Sequence, residues 1–271
     1  MVLSTLLFAV MSTLVKYLSQ FGTFQLVFFR SIGTLIFTMT YLVYNKIPVL
    51  GSQKKLLFFR GLSGAASMVL FFSALHFMAI GSAVTLRYTA PLFVALLSVL
   101  FLGEKIRWIQ WFFFLIAFGG VVMVKGFDTS ISFLGFGIVI LSAVTSAITY
   151  MLISRIGTRD HHMVIISYFM LIATLAGAIG CLFEWQMPHG IEWLQLLSLG
   201  VLGLIAQVLM TKAFQIGPAY KIAPYKYVEV IFSLGFGIAV FFDIYSFFTL
   251  IGIVMIVLGL VLNAIYKTKK F

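Results

Sequence analysis

Four ionisable side chains sit inside long apolar runs, where a charge is expensive: Arg30, Arg87, Lys226 and Glu229. Within a lipid-crossing helix each costs roughly 2.5–3.5 kcal/mol on insertion scales, so such groups usually face a cavity or a partner. The three cations suit an anionic or carboxylate-bearing ligand. Glu229 suits a proton-coupling site, where a carboxylate alternates between charged and neutral forms, or a partner for a ligand ammonium. Lys226 lies one turn before it, an i,i+3 spacing that also permits a simple ion pair. Tyr88 follows Arg87, and Tyr225 and Tyr227 flank Lys226. A tyrosine ring offers a flat apolar face to a cation or an amide, and its hydroxyl offers a hydrogen bond. The candidate binding residues are therefore Arg30, Arg87, Tyr88, Lys226, Tyr227 and Glu229.

Other chemistries find no matching spacing. His76 and the pair His161-His162 lack metal-ligand spacing, and Cys181 is alone, so no metal site is expected. The stretch Gly61-Leu62-Ser63-Gly64-Ala65 misses the nucleophile elbow at its last position. There is no His-Glu-x-x-His, and no glycine-rich phosphate loop ending in lysine. Neither a cofactor nor ATP-driven pumping is expected.

Composition names the elements that must carry these residues. Of 271 residues, 62% are apolar and 9% charged, against roughly 25% charged in soluble domains. No soluble fold of this size hides so much apolar surface, which excludes a soluble enzyme, a secreted disulfide scaffold and a disordered tail. A hydrocarbon core about 30 Å thick takes about 20 helical residues. Ten such runs lie near 2–18, 24–44, 56–78, 83–102, 108–124, 134–154, 163–183, 193–216, 220–242 and 246–266. They are expected as helices, because lipid offers backbone groups no partner and the runs lack the alternation of barrel strands.

With the first helix starting inside, the inner loops and C-terminus collect Lys46, Lys54, Lys55, Arg60, Lys105, Arg107, Arg155, Arg159, Lys221, Lys267, Lys269 and Lys270. The outer side holds Lys16 and Lys125, with Asp243 among its acids. The positive-inside rule then puts both termini in the cytoplasm. The net charge of +11 is spread over short loops, so nucleic acid is not an expected partner.

The chain also matches itself at an ungapped offset of 139 residues. Lys16 falls on Arg155, Gly61 on Gly200, Gly64 on Gly203, Arg87 on Lys226, Tyr88 on Tyr227, Glu104 on Asp243 and Gly120 on Gly259. Two repeats are expected, 1–124 and 134–266, of five helices each. Five is odd, so the second copy enters the membrane from the opposite side, an inversion common among secondary transporters. The paired glycines read as close helix packing, and Pro91 and Pro224 as points where helices bend.

Ala74-Leu75, Ile80-Gly81-Ser82-Ala83, Pro91, Leu102-Gly103-Glu104-Lys105 and Gly119-Gly120-Val121-Val122, loosely repeated from Lys212 to Gly259, resemble the signature of an EamA-type domain. The chain resembles the drug/metabolite transporter superfamily over essentially its whole length. That resemblance implies ten helices, with a central cavity lined by helices 1–4 and 6–9 while helices 5 and 10 stay peripheral.

The expected function is a secondary transporter in the cytoplasmic (inner) membrane, moving a small polar metabolite, an amino acid or related compound, by alternating access. Protons are a candidate coupling ion, and the assembly a monomer or homodimer. Ala223-Pro224-Tyr225-Lys226-Tyr227-Val228-Glu229 is similar to the helix 9 pattern of S-adenosylmethionine-uptake branches of that superfamily, which makes such a carrier one alternative. A membrane-embedded enzyme and a structural subunit are the others.

Overall fold

A computed structural model of the chain describes residues 1–90, 92–94, 96–97, 108–127, 131–216 and 222–268. The described residues form helices and connecting turns, with no strand among them. In order these are α1 (Val2–Tyr17), α2 (Thr23–Tyr44), α3 (Lys54–Ala74), α4 (Ile80–Arg87), α5 (Trp108–Phe127), α6 (Phe133–Ile156), α7 (His162–Cys181), α8 (Glu192–Ile216), α9 (Val228–Phe241) and α10 (Phe247–Thr268). Among the described residues, the helices over Thr23–Tyr44, Lys54–Ala74, Phe133–Arg159, His162–Cys181 and Glu192–Ile216 are long and apolar enough to cross a membrane. The protein is a multi-pass membrane protein.

Lipid accounts for the outward faces. Along α5, Phe112, Leu115, Phe118 and Val122 are exposed at three- and four-residue steps, a stripe on one side of the helix. The opposite side of α5 buries Ala117, Val121 and Val124, and packs on α10, which buries Ile253, Ile256 and Leu260. The two backbones meet at glycines: a Cβ added to Gly120 would stand 2.5 Å from the carbonyl oxygen of Gly252, and one added to Gly259 2.6 Å from that of Phe113. Small residues at such crossings give lipid-embedded helices the close packing that holds them together.

The remaining helices surround a polar centre. α2 packs on α7 and α8, α3 on α6 and α7, α1 on α8 and α9, and α4 on α6 and α9. These contacts exchange under the offset of 139. Gly61 of α3 lies against Tyr168 and Ile172 of α7, while Gly200 of α8 lies against Phe29 and Gly33 of α2. Each number in the second set is its counterpart shifted by 139 residues.

Loop contacts join distant parts of the chain. At one end Lys16 Nζ pairs with Asp243 at 3.3 Å. At the other, Asp160 accepts hydrogen bonds from the Ser52 and Gln53 amides, and Gln215 donates to the Gly157 carbonyl.

Two runs expected as single spans are interrupted. In the run at 83–102, α4 ends at Arg87 in a turn over Tyr88 and Thr89, and helix resumes at Ala90. Proline has no N–H with which to continue an i→i−4 ladder, and Pro91 follows immediately. Pro91 itself lies outside the described residues, as do Glu104, Lys105, Arg107, Asp128, Lys221, Lys269 and Lys270. The run at 220–242 opens as a tight 3-10 turn over Ala223–Tyr227, with Pro224 near its start, before α9 begins at Val228. Glu229 therefore stands in the first turn of α9 rather than deep within a continuous helix.

Candidate functional site

A cavity of about 50 Å³ lies at the polar centre. Its lining comes from α1, α2, α3, α4, α6, α7, α8, the 3-10 turn leading into α9 and the first turn of α9; among the described residues none comes from α5 or α10. Five of the six residues singled out above line it, Arg30, Arg87, Tyr88, Lys226 and Glu229. The sixth, Tyr227, is buried against Tyr88, ring centres 6.1 Å apart and edge to face. Tyr88 and Tyr227 are offset equivalents, so the two halves of the chain meet ring to ring here.

Among the described residues no acid pairs with any of these cations, and the two arginines rest on sulfurs and rings. Arg30, on α2, is 3% exposed; its Nε lies 3.2 Å from Met11 Sδ, its Nη1 contacts Met68 Sδ, and the guanidinium carbon is 5.6 Å from the Phe169 ring centre. Gly203 makes room for it, since a Cβ there would stand 3.2 Å from Arg30 Nε. Arg87 ends α4 with its guanidinium carbon 4.2 Å from the Phe71 ring centre, and its buried Nε has no hydrogen-bond partner among the described residues.

Lys226 reaches across to α6 rather than along its own chain. Its Nζ donates to the Tyr150 hydroxyl at 2.8 Å, lies 3.5 Å from Met210 Sδ, and stands 5.3 Å from the Tyr88 ring centre. The i,i+3 ion pair with Glu229 is absent: the tight turn carrying Lys226 gives way to α-helix at Val228, which separates the two side chains. Glu229 instead accepts a hydrogen bond from the Tyr88 hydroxyl. Tyr225, one of the aromatics flanking Lys226 in sequence, is 57% exposed and takes no part in the lining; its neighbours Lys226 and Tyr227 turn inward.

The sequence reading missed several members. Arg60, counted above with the inner-loop cations, lies inside α3, is 1% exposed, and lines the cavity. Its guanidinium carbon is 4.5 Å from the Phe169 ring centre, and its Nε and Nη1 have no hydrogen-bond partner among the described residues. The signal was present, since the apolar run begins at Leu56, a full turn earlier. Gly64 also follows at i+4, and a Cβ there would stand 2.8 Å from Arg60 Nη1.

Tyr150 was likewise missed. It closes a line of small polar residues on α6, Ser142, Ser146 and Thr149, at three- and four-residue steps. That line faces Ser63 and Ser67 of α3: Ser67 Oγ is 2.6 Å from Ser146 Oγ, and Ser63 Oγ 2.9 Å from Thr149 Oγ1. Such hydrogen bonds between helices bind the cavity wall together.

His76 contacts the Phe72 carbonyl oxygen at 3.0 Å, a local polar contact. His161 caps α7, its ring nitrogen accepting from the Met163 amide.

Comparison with known proteins follows this geometry. The EamA-like transporter family matches residues 1–126 and 133–265. The chain is 34% identical over 276 residues to the pseudopaline exporter CntI of Pseudomonas aeruginosa, covering 99% of this chain and 95% of that protein. It is 30% identical to solute carrier family 35 member G1 of Mus musculus, covering 95% and 75%. It is 27% identical to the S-adenosylmethionine uptake transporter of Rickettsia felis, covering 94% and 87%. A solved crystal structure superposes with a TM-score of 0.73 at 19% identity, over 98% of this chain and 95% of the other, and shares the fold. The chain belongs to the EamA-like transporter family, among the transporters of the drug/metabolite transporter superfamily rather than the enzymes.

Proposed function

We propose that this protein is a secondary transporter that moves a small polar metabolite, an amino acid or related compound bearing a carboxylate, across the cytoplasmic (inner) membrane. Two inverted five-helix repeats, 1–124 and 134–266, rock about the central cavity, and both termini face the cytoplasm. The observation that carries this reading is the convergence of offset-equivalent residues: Arg87 and Lys226 line one cavity, and Tyr88 meets Tyr227 beside it. Inverted repeats place their substrate at such a junction. The exchanged glycine contacts of α3 with α7 and of α8 with α2 support the repeat, as do the two separate stretches matched by the family.

Arg30, Arg87 and Lys226 bind the substrate carboxylate, with the Tyr88 and Tyr227 rings walling the site. Glu229 is the proton-coupling group and the partner for a substrate ammonium. The relatives include both an exporter and an uptake carrier. An S-adenosylmethionine carrier is the weaker reading, because a sulfonium cation would enter a cavity already lined by four cations against one carboxylate.

The test is counterflow in proteoliposomes. Vesicles loaded with an unlabelled amino-acid mixture are expected to accumulate labelled amino acid, and Arg87→Ala to abolish this. Absence of counterflow with every amino acid tried, from protein whose thermal unfolding is intact, would sink the reading.

A further inference from the structure

Four cations face one cavity, and one carboxylate faces them. Arg30, Arg60, Arg87 and Lys226 line it with Glu229, and among the described residues no acid lies within ion-pairing distance of any of the four. Buried guanidinium groups are normally paired and hydrogen-bonded, because bare charge in a low-dielectric interior is costly. Here Arg60 Nε and Nη1 and Arg87 Nε are buried without a hydrogen-bond partner among the described residues. Aromatic faces and thioether sulfurs contact Arg30, Arg60 and Arg87, and each such contact returns only about 0.5–2 kcal/mol.

The charges are also arranged in two groups. Arg30 and Arg60 gather around the Phe169 ring, at 5.6 and 4.5 Å from its centre, on α2, α3 and α7. Lys226 on the 3-10 turn and Glu229 on α9 gather around Tyr88, just past the end of α4, and Arg87 stands apart from both groups over the Phe71 ring. The Lys226 and Glu229 group carries one charge of each sign and matches an amino-acid headgroup, ammonium and carboxylate together. The arginine group is cationic throughout, and the Arg60 N–H groups on Nε and Nη1 lie on different edges of the guanidinium, so each is a donor for a separate carboxylate oxygen.

We infer that the cavity recognises a polycarboxylate, a small molecule with at least two carboxylates, one of which is held at the Arg30 and Arg60 end. This rests on the carrier reading above and names its substrate class. Arg60 becomes a binding residue, contacting the second carboxylate through one of its unpartnered donors.

The test uses a ladder of carboxylates on one short carbon scaffold: propionate, succinate and tricarballylate, at equal ionic strength, with sulfate as the inorganic control. Thermal unfolding of the purified full-length protein reads the binding, since a ligand that binds only the folded state raises the midpoint. Affinity is expected to rise with carboxylate number, by about tenfold from propionate to succinate, the size of one hydrogen-bonded charge pair. Arg60→Gln is expected to lower tricarballylate affinity about tenfold, and Arg60→Lys to recover part of it. Where Arg60→Gln does not fold, the ladder on the unaltered protein decides.

A flat ladder, including no response to any of the three acids, overturns the inference. Sulfate matching tricarballylate overturns it too, since any polyanion would then suffice. In either case amino-acid counterflow remains a separate measurement, so a carrier of monocarboxylates would still be recognised.

Discussion

The Tyr88 hydroxyl donates a hydrogen bond to Glu229 Oε2, joining residues 141 positions apart in the chain. The bond links the turn that ends α4 to the first turn of α9, where the two halves of the molecule meet. It also engages the carboxylate that lines the cavity, leaving Lys226 to Tyr150.

Removing either partner has a distinct readout. Tyr88→Phe keeps the ring against Tyr227 but takes away the donor, and counterflow is expected to slow about tenfold, the worth of one hydrogen bond to a charged group. Glu229→Gln keeps the shape of the acid but cannot release a proton, so the pH dependence of uptake is expected to flatten. Unchanged transport at every pH in Glu229→Gln would remove the coupling role.

The contact of α5 with α10 is expected to be intolerant of a single methyl group. A Cβ at Gly120 would stand 2.5 Å from the Gly252 carbonyl oxygen and one at Gly252 2.8 Å from that of Gly120, both backbone atoms that a rotamer change does not move. Gly120→Ala and Gly252→Ala should each cost about 1–3 kcal/mol by overpacking. Thermal unfolding in detergent measures this. Gly137, with nothing near its missing Cβ, serves as the control, and Gly137→Ala should leave the midpoint near that of the parent.

Asp160 caps a helix that belongs to the other half of the chain. It is 5% exposed and accepts from the Ser52 amide at 2.5 Å, the Ser52 hydroxyl at 3.0 Å and the Gln53 amide at 3.1 Å, just before α3. Helix N-termini need such acceptors, and substituting a cap by alanine costs about 0.5–2 kcal/mol. Asp160→Ala should therefore lower the unfolding midpoint more than Asp160→Asn, which keeps one carbonyl acceptor. Equal midpoints for the two variants would argue against a capping role.

Stability should fall on mild acidification through His161. Its pKa is lowered from 6.5, first by burial and then by the positive charge of Lys212. The unfolded chain thus binds the proton more readily. The contribution is whole above 6.5 and is lost as pH falls from there through the lowered folded value. Protonation also removes the acceptor that caps Met163. His161→Asn keeps a cap that does not titrate, so the unfolding midpoint between pH 7 and 5 should fall less steeply in that variant than in the parent.

Much of the architecture is legible in the sequence because lipid imposes it locally. A helix must satisfy its own backbone, so the apolar run near 193–216 reads directly as α8 and the run near 108–124 as the body of α5. The offset of 139 paired Arg87 with Lys226 and Tyr88 with Tyr227, and a charge too costly to face lipid had to point inward. Those two facts select five of the residues that line the cavity, Arg30, Arg87, Tyr88, Lys226 and Glu229.

Tertiary structure alone decided which groups touch. The register along a helix says that Lys226 and Glu229 are one turn apart; it says nothing of Tyr150 or Tyr88, which approach from α6 and α4 and take the two side chains separately. Arg60 shows the same limit. By sequence it is one more basic residue after Lys54 and Lys55, yet the rotation of α3 against α7 carries its guanidinium onto the Phe169 ring. Spacing determines the face of a helix on which a residue lies, whereas its partner depends on how distant helices are turned toward one another.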